Sequence, residues 1–194
     1  MIHFRVPALM MVAALALSAC ETRTKMEAPP ASLSTFQLGH VAVVADNATK
    51  APISRDASAD EWETSLKKAV VDRFGRIDGE TYYHLAINVD GYALAPPGVP
   101  LVVSPKSVLI ISVTLLEDKP GAPKVNEKPE QLTIFETLSG ATAVGSGLTK
   151  SAAEQMANLS FNAALAIEDW LAKNPNYFDP NAAPRVEIAA PTSK

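Results

Sequence analysis

Residues 81–92 read TYYHLAINVDGY, and this stretch decides the fold. Its apolar members Tyr83, Leu85, Ile87 and Val89 occupy every second position. Side chains of a strand point alternately to its two faces, so this alternation predicts a strand with one face in a core and the other toward solvent.

A strand and a helix are predicted before this segment. Residues 36–45 are rich in β-branched and apolar side chains on both faces, which is typical of a central strand. Ser58 and Glu61 have the spacing of a capping box, which predicts a helix from there to Phe74. Gly75 is expected to end that helix in a left-handed conformation.

Two strands and a second helix are predicted after the central segment. Residues 107–116 and 131–138 have strand character, and the polar, proline-containing residues 117–130 between them are expected to form an exposed hairpin loop. Ser151 and Glu154 repeat the capping-box spacing and predict the start of the last helix. The order β-α-β-β-β-α therefore predicts a single α+β domain, with a mainly antiparallel sheet and both helices packed on one face.

The amino terminus has the features of a bacterial lipoprotein signal. A short basic start precedes an apolar run at residues 6–17, which is too short to span a bilayer, and the sequence Leu17-Ser18-Ala19-Cys20 follows. This lipobox pattern predicts cleavage between Ala19 and Cys20 and attachment of a lipid to the Cys20 thiol, the only thiol in the chain. The alternative is an ordinary secretory signal followed by an unrelated cysteine.

The chain therefore divides into four predicted parts. Residues 1–19 are a signal peptide, and residues 20–35 are the lipidated cysteine and a flexible tether. Residues 36–178 form the α+β domain, placed in the periplasm. Residues 179–194 contain three prolines and are expected to be a disordered tail.

Charge and composition limit the partners of this chain. The formal net charge is −4 and basic residues form no block, so nucleic acid is not an expected partner. Membrane attachment is expected through acyl chains on Cys20. Glu21 follows the lipidated cysteine where an aspartate would favour retention at the inner membrane, so the outer membrane is favoured over the inner one.

Catalytic, cofactor and metal sites are not predicted. Residues 140–147 have glycines spaced like the start of a phosphate-binding loop, but Ser146 stands where that motif has lysine. A Gly-x-Ser-x-Gly motif is absent from the sequence. His40, His84, Asp46 and Asp90 form a metal or hydrolytic site only if the fold brings their strands together. We therefore predict that the protein is not an enzyme.

An unusual loop at residues 93–105 is the candidate partner contact. It is long, apolar and contains four prolines, whereas hairpin loops are usually short and polar. Its candidate contact residues are Leu94, Pro96, Pro97, Val99, Leu101 and Val102. The alternative is that these residues fold back over the sheet and complete the core.

The segment Gly145-Ser146-Gly147-Leu148-Thr149-Lys150-Ser151, followed by NLSFNAALAIEDWL at residues 158–171, carries a family resemblance. Together with the lipobox it resembles a family of uncharacterised alphaproteobacterial lipoproteins that contain a domain of unknown function. More distantly, size and element order are similar to auxiliary lipoproteins of ABC-type transport systems, a likeness of topology alone.

These features together favour a non-enzymatic envelope lipoprotein. The expected role is that of an accessory or partner-binding subunit in envelope assembly or transport, with anchoring at the membrane raising the rate of encounter with partners. The alternative is a periplasmic module that binds a lipid or another apolar small molecule between helices and sheet.

Overall fold

The computed structural model describes residues 28–97, 107–137 and 146–179. The predicted signal peptide, Cys20 and the predicted tail after Asp179 lie outside the described residues. The elements are β1 (Phe36–Val44), β2 (Thr49–Lys50), α1 (Ala59–Phe74), β3 (Thr81–Ala93), β4 (Val108–Glu117), β5 (Glu130–Phe135), α2 (Ser146–Thr149) and α3 (Ala152–Lys173). Short 3-10 turns occur at Ala31–Leu33 and Pro175–Tyr177.

The strands form one mixed sheet in the order β1-β3-β4-β5. β1 and β2 pair with β3 in parallel, whereas β3–β4 and β4–β5 are antiparallel. The connection from β1 through α1 to the parallel β3 is the βαβ passage that the element order implied. The α+β class is confirmed, with helices packed on the sheet.

The core lies between the two long helices and one face of the sheet. Buried positions alternate along β3 and β4, as the sequence of residues 81–92 predicted. Leu66 of α1 and Ile167 of α3 have no exposed surface, and neither does Ile111 of β4. The opposite face of the sheet, which we call the open face, is not covered by either long helix.

The two long helices begin as their sequences predicted. Ser58 accepts from the backbone N–H of Glu61, and the Glu61 carboxylate accepts from the backbone N–H of Ser58. Ser151 and Glu154 form the same pair of bonds at the start of α3. The end of α1 differs from the prediction, because Gly75 has a φ of −64° and is right-handed.

The helices run in the same direction. Ser65 and Ser160 lie with their hydroxyl oxygens 2.8 Å apart. Further along, Arg73 Nε donates to Glu168 Oε2 at 3.0 Å. Because both contacts join positions that increase together along α1 and α3, the helix axes are parallel.

The ordered domain begins earlier than the sequence indicated. Leu33, placed in the tether by sequence analysis, has no exposed surface and belongs to the core. Ser32 Oγ also donates to the carbonyl oxygen of Ala172 at 3.3 Å. Residues 31–35 therefore belong to the folded part of the chain.

The hairpin loop between β4 and β5 is exposed, as predicted, except at Val125 and Asn126. Residues 118–124 are exposed, but Asn126 is buried. Its amide oxygen accepts from the backbone N–H of Leu115 at 2.8 Å, and its amide nitrogen donates to the carbonyl of Val113 at 3.0 Å. This side chain extends the pairing of β4 beyond the end of β5.

Candidate functional site

The open face of the sheet carries the candidate site. Val44 on β1, Tyr82 on β3 and Phe135 on β5 point away from the helices and are 44%, 47% and 57% exposed. They share this face but lie apart on it, with Val44 and Phe135 on the two edge strands. Two adjoining clefts lie on this face.

The larger cleft has a volume of about 430 Å³ and lies at the β2 end of the sheet. The apolar part of its wall includes Pro52, Ala93, Val108 and Ile110, and its polar part includes Asp90. The smaller cleft, of about 230 Å³, is lined by Ala42, Val44, Ala86, Ile87, Asn88, Ser112, Thr114 and Pro129. Together the clefts extend across the strands β1, β3 and β4.

Asp90 occupies an irregularity in β3. Val89 pairs with Ile111 and Gly91 with Ile110, so Asp90 is an extra residue between two regular pairs. Such a β-bulge redirects a side chain and is common beside functional sites. Here it turns the Asp90 carboxylate toward the neighbouring strands on the open face.

Three side chains from three adjacent strands donate to this carboxylate. Asn88, Ser112 and Gln131 lie directly opposite one another on β3, β4 and β5. Asn88 Nδ2 donates to Oδ1 at 2.6 Å, and Ser112 Oγ and Gln131 Nε2 donate to Oδ2 at 2.6 and 3.1 Å. We call this arrangement the Asp90 cluster.

These hydrogen bonds keep the carboxylate ionised. Burial by itself would raise the pKa of Asp90, but the bonds from Ser112, Asn88 and Gln131 favour the charged form. The net result is a pKa of Asp90 below its ordinary value. The open face therefore presents a negative charge in a fixed orientation.

The two histidines lie together at the other end of β3. Their ring centroids are 5.1 Å apart, and the backbone N–H of His40 donates to Nδ1 of His84 at 2.9 Å. Nε2 of His84 lies 3.3 Å from Asp118 Oδ1. The donor to Nδ1 is the backbone of a bulge in β1, so this histidine completes the strand pairing.

His40, His84, Asp46 and Asp90 do not converge in one site. Asp90 is six residues beyond His84 on the same strand, a distance of roughly 20 Å. Within residues 28–97, 107–137 and 146–179, no group of three metal-ligating side chains is placed to hold a metal ion. His84 and Asp90 thus belong to separate local networks.

The loop after β3 is described only at its first residues. Leu94 has no exposed surface and lies in the core, which corrects its assignment as a partner contact. Pro97 is exposed, and Pro96 is partly exposed. The other candidate contacts, Val99, Leu101 and Val102, lie outside the described residues.

Gly147 of α2 anchors the base of this loop. A Cβ at Gly147 would lie within 2.8 Å of the carbonyl carbon of Pro96, so the two backbones meet where only glycine fits. Arg55 donates to the carbonyls of Gly147 and Lys150 at 2.5 and 2.9 Å. Glycine here serves close packing, as expected; the rest of the glycine stretch, residues 140–145, lies outside the described residues.

A further cleft, of about 250 Å³, separates α1 from α3 on their outer side. Its lining is Ser65, Lys68, Ala69, Asp72, Arg73, Ala157 and Phe161. In the described part of the chain, no helix is both long and apolar enough to cross a bilayer.

The Asp90 cluster was not predicted as a unit. From the sequence, Asp90 was predicted only as a possible partner of histidines, and its hydrogen-bond donors Asn88, Ser112 and Gln131 were not predicted. The available signal was the Asp90-Gly91 pair, which interrupts the alternation of β3 and is consistent with a bulge.

Comparison with known proteins gives structural similarity only. No protein-family model matches the sequence, and no curated protein matches it. A crystal structure of a Xanthomonas campestris protein from the family of unknown function DUF330 has a TM-score of 0.43 and 18% identity, covering 78% of this chain and 92% of that one.

Two other solved structures are similar. A hypothetical protein of Chlamydia trachomatis has a TM-score of 0.40 and 7% identity, covering 70% of this chain and 98% of that one. A minor lipoprotein of Acinetobacter baumannii has a TM-score of 0.31 and 16% identity, covering 70% and 93%. All three TM-scores lie below 0.5, so these similarities carry no conclusion about what this chain does.

Proposed function

We propose that this chain is a lipid-anchored protein of the cell envelope, whose domain binds a protein partner through the open face of its sheet. The anchor is the lipid on Cys20, inferred from the lipobox at residues 17–20. The domain works as an accessory subunit, with no catalytic role of its own.

The observation that carries the proposal is the pair of adjoining clefts on a sheet face that the long helices leave uncovered. An isolated sheet face normally either packs on a core or is polar. This one combines the apolar walls of the two clefts, which include Val44 and Ile110, with a fixed carboxylate at Asp90. Protein interfaces typically join an apolar centre to a few oriented polar groups in this way.

The open face replaces the loop at residues 93–105 as the main candidate contact. Leu94 is in the core and its neighbour Pro96 packs on Gly147, so the described start of that loop is held by the domain itself. Pro97 is exposed beside α2 and remains a candidate at the edge of the surface.

Photo-crosslinking in living cells tests this proposal. A photoreactive amino acid replaces Val44 or Phe135 on the open face of the full chain, and Thr64 on the exposed side of α1 serves as the control. We expect one envelope protein to be captured from both open-face positions and not from Thr64. Equal capture from all three positions, or capture from Thr64 alone, would contradict a specific role of the open face.

Removal of the anchor tests the location. A variant with Cys20→Ala, and with residues 1–19 replaced by a signal peptide that is cleaved without lipidation, carries no lipid. It is expected in the soluble periplasmic fraction, with crosslinking from Phe135 reduced because anchoring no longer concentrates it near its partner. A variant that stays in the membrane fraction would contradict attachment through Cys20. Mass spectrometry of the amino-terminal peptide identifies the lipid directly.

A further inference from the structure

The described hydrogen-bond donors to the Asp90 carboxylate are all neutral groups. Its described partners are an amide on β3, a hydroxyl on β4 and an amide on β5, and none of them is a cation. Three donors occupy part of the acceptor capacity of the two oxygens, which have about four lone-pair sites. Oδ1, with a single donor from Asn88, has the most room for another.

The lysine that lines this cleft is paired with another carboxylate. Lys50 lines the same cleft, but its ammonium group is paired with Asp56. The hydrogen bond and charge of Asp56 also raise the pKa of Lys50 above its ordinary value. In the structure Lys50 is thus paired with Asp56, and Asp90 forms no salt bridge in the described part of the chain.

The walls beside Asp90 are suited to a hydrocarbon stem. Ala93, Val108 and Ile110 line the cleft next to the carboxylate. A lysine or arginine side chain places its methylene groups along apolar surface and its charged end on a polar group. The chemical pattern of the cleft matches that combination.

We propose that Asp90 is the anchoring point for a lysine or arginine side chain of the protein that binds the open face. This inference rests on the proposed function and names the group that the partner must supply. A protein side chain is favoured over a free small molecule because the Asp90 cleft continues into the second cleft, giving an extended surface. A charge-assisted hydrogen bond at the centre of such a surface fixes the orientation of the partner.

A side-chain mimic tests the site without knowledge of the partner. Full-length protein is titrated with n-hexylammonium and, separately, with n-hexanol, and NMR follows the Ile110 methyl groups and the side-chain amides of Asn88 and Gln131. We expect saturable shifts with the cation, and binding of the alcohol at least about tenfold weaker, since the alcohol cannot form a charge-assisted bond. Equal binding of the two probes would overturn the proposal.

Variants connect the binding to Asp90. Asp90→Asn removes the charge and is expected to weaken hexylammonium binding about tenfold. Ile110→Trp fills the cleft without altering the carboxylate and should weaken hexylammonium binding by a similar factor. Asp72→Asn removes an exposed carboxylate on α1, on the other side of the sheet, and is the matched control. An unchanged affinity in Asp90→Asn and Ile110→Trp would overturn the proposal.

Crosslinking separates this inference from the proposed function. If the inference is right, capture of the envelope partner from Phe135 is lost in Asp90→Lys, whereas it persists in Asp72→Lys. If capture persists in Asp90→Lys, the open face still binds a partner but Asp90 does not anchor it. If hexylammonium binds and nothing is captured from the open face, the anchor of a protein partner is excluded and the site holds a small cation.

Discussion

Arg73 on α1 and Glu168 on α3 form an ion pair that is almost completely removed from solvent, their side chains being 3% and 1% exposed. Nε and Nη2 of Arg73 both donate to Oε2 of the carboxylate, and Arg76 Nη2 donates to Oε1 at 2.9 Å. This pair joins the two long helices near their carboxyl ends.

Glu168→Ala should be among the most destabilising single substitutions. It leaves the buried guanidinium of Arg73 without its carboxylate, and breaking a buried pair from one side costs about 3–5 kcal/mol. Urea unfolding followed by circular dichroism measures the change in the free energy of unfolding. The control is Asp72→Ala, which breaks an exposed pair with Lys68 and should cost less than about 1 kcal/mol. Similar losses in both variants would contradict the prediction.

Gly39→Ala should destabilise the bulge of β1. A Cβ at Gly39 would lie 2.7 Å from Cε1 and even nearer to Nδ1 of His84, so the ring must move and the bond from the His40 N–H is lost. Overpacking of this kind costs about 1–3 kcal/mol.

A double-mutant cycle tests the cause of that loss. In a His84→Ala background the ring is absent, so Gly39→Ala should cost clearly less than it does in the wild type. Thermal unfolding of the four proteins gives the interaction free energy. If the two effects simply add, the contact with the His84 ring is not what requires glycine at position 39.

Local signals in the sequence predicted local structure correctly. Both capping boxes form, since the serine and the glutamate are three residues apart at the start of an apolar helical pattern and need no distant residue to interact. The alternation at residues 81–92 correctly gave the buried face of β3 because its period is a property of the strand itself. The α+β class followed from these elements and their order.

Features that depend on distant residues were not predicted. The donors to Asp90 on β4 and β5 are defined by the register of three strands, which no single segment contains. The burial of Leu33 has the same origin, because its polar, proline-containing surroundings resemble a tether until the core covers it. The left-handed end expected at Gly75 failed because the chain continues in a right-handed turn toward Ile77.

Ala122→Gly should stabilise the protein slightly. Ala122 has a φ of +41° in the exposed loop after β4, a conformation that costs a residue with a Cβ about 1–2 kcal/mol. Glycine removes that cost but loses about 0.5–1 kcal/mol through its greater freedom in the unfolded chain. We expect a net gain of about 0.5–1 kcal/mol in the free energy of unfolding, measured by urea unfolding. Ala157→Gly, in the interior of α3, should instead lower the free energy of unfolding by about 1 kcal/mol.

The two capping boxes should make stability depend on pH in the acid range. Hydrogen bonds from the backbone N–H and hydroxyl of Ser58 lower the pKa of Glu61, and those from Ser151 lower the pKa of Glu154, from an ordinary value of 4.5. A lowered folded-state pKa gives stabilisation that is complete above the ordinary value and is lost as the pH falls through the folded-state value. The wild type should therefore be more stable than Glu61→Ala/Glu154→Ala at pH 7, and the difference in melting temperature should shrink below about pH 4.

Thr64→Ala, an exposed change on α1 that removes no carboxylate, should differ from the wild type by the same amount at every pH. A constant difference between wild type and the double variant down to pH 3 would show that the two carboxylates do not stabilise the helices through their charge.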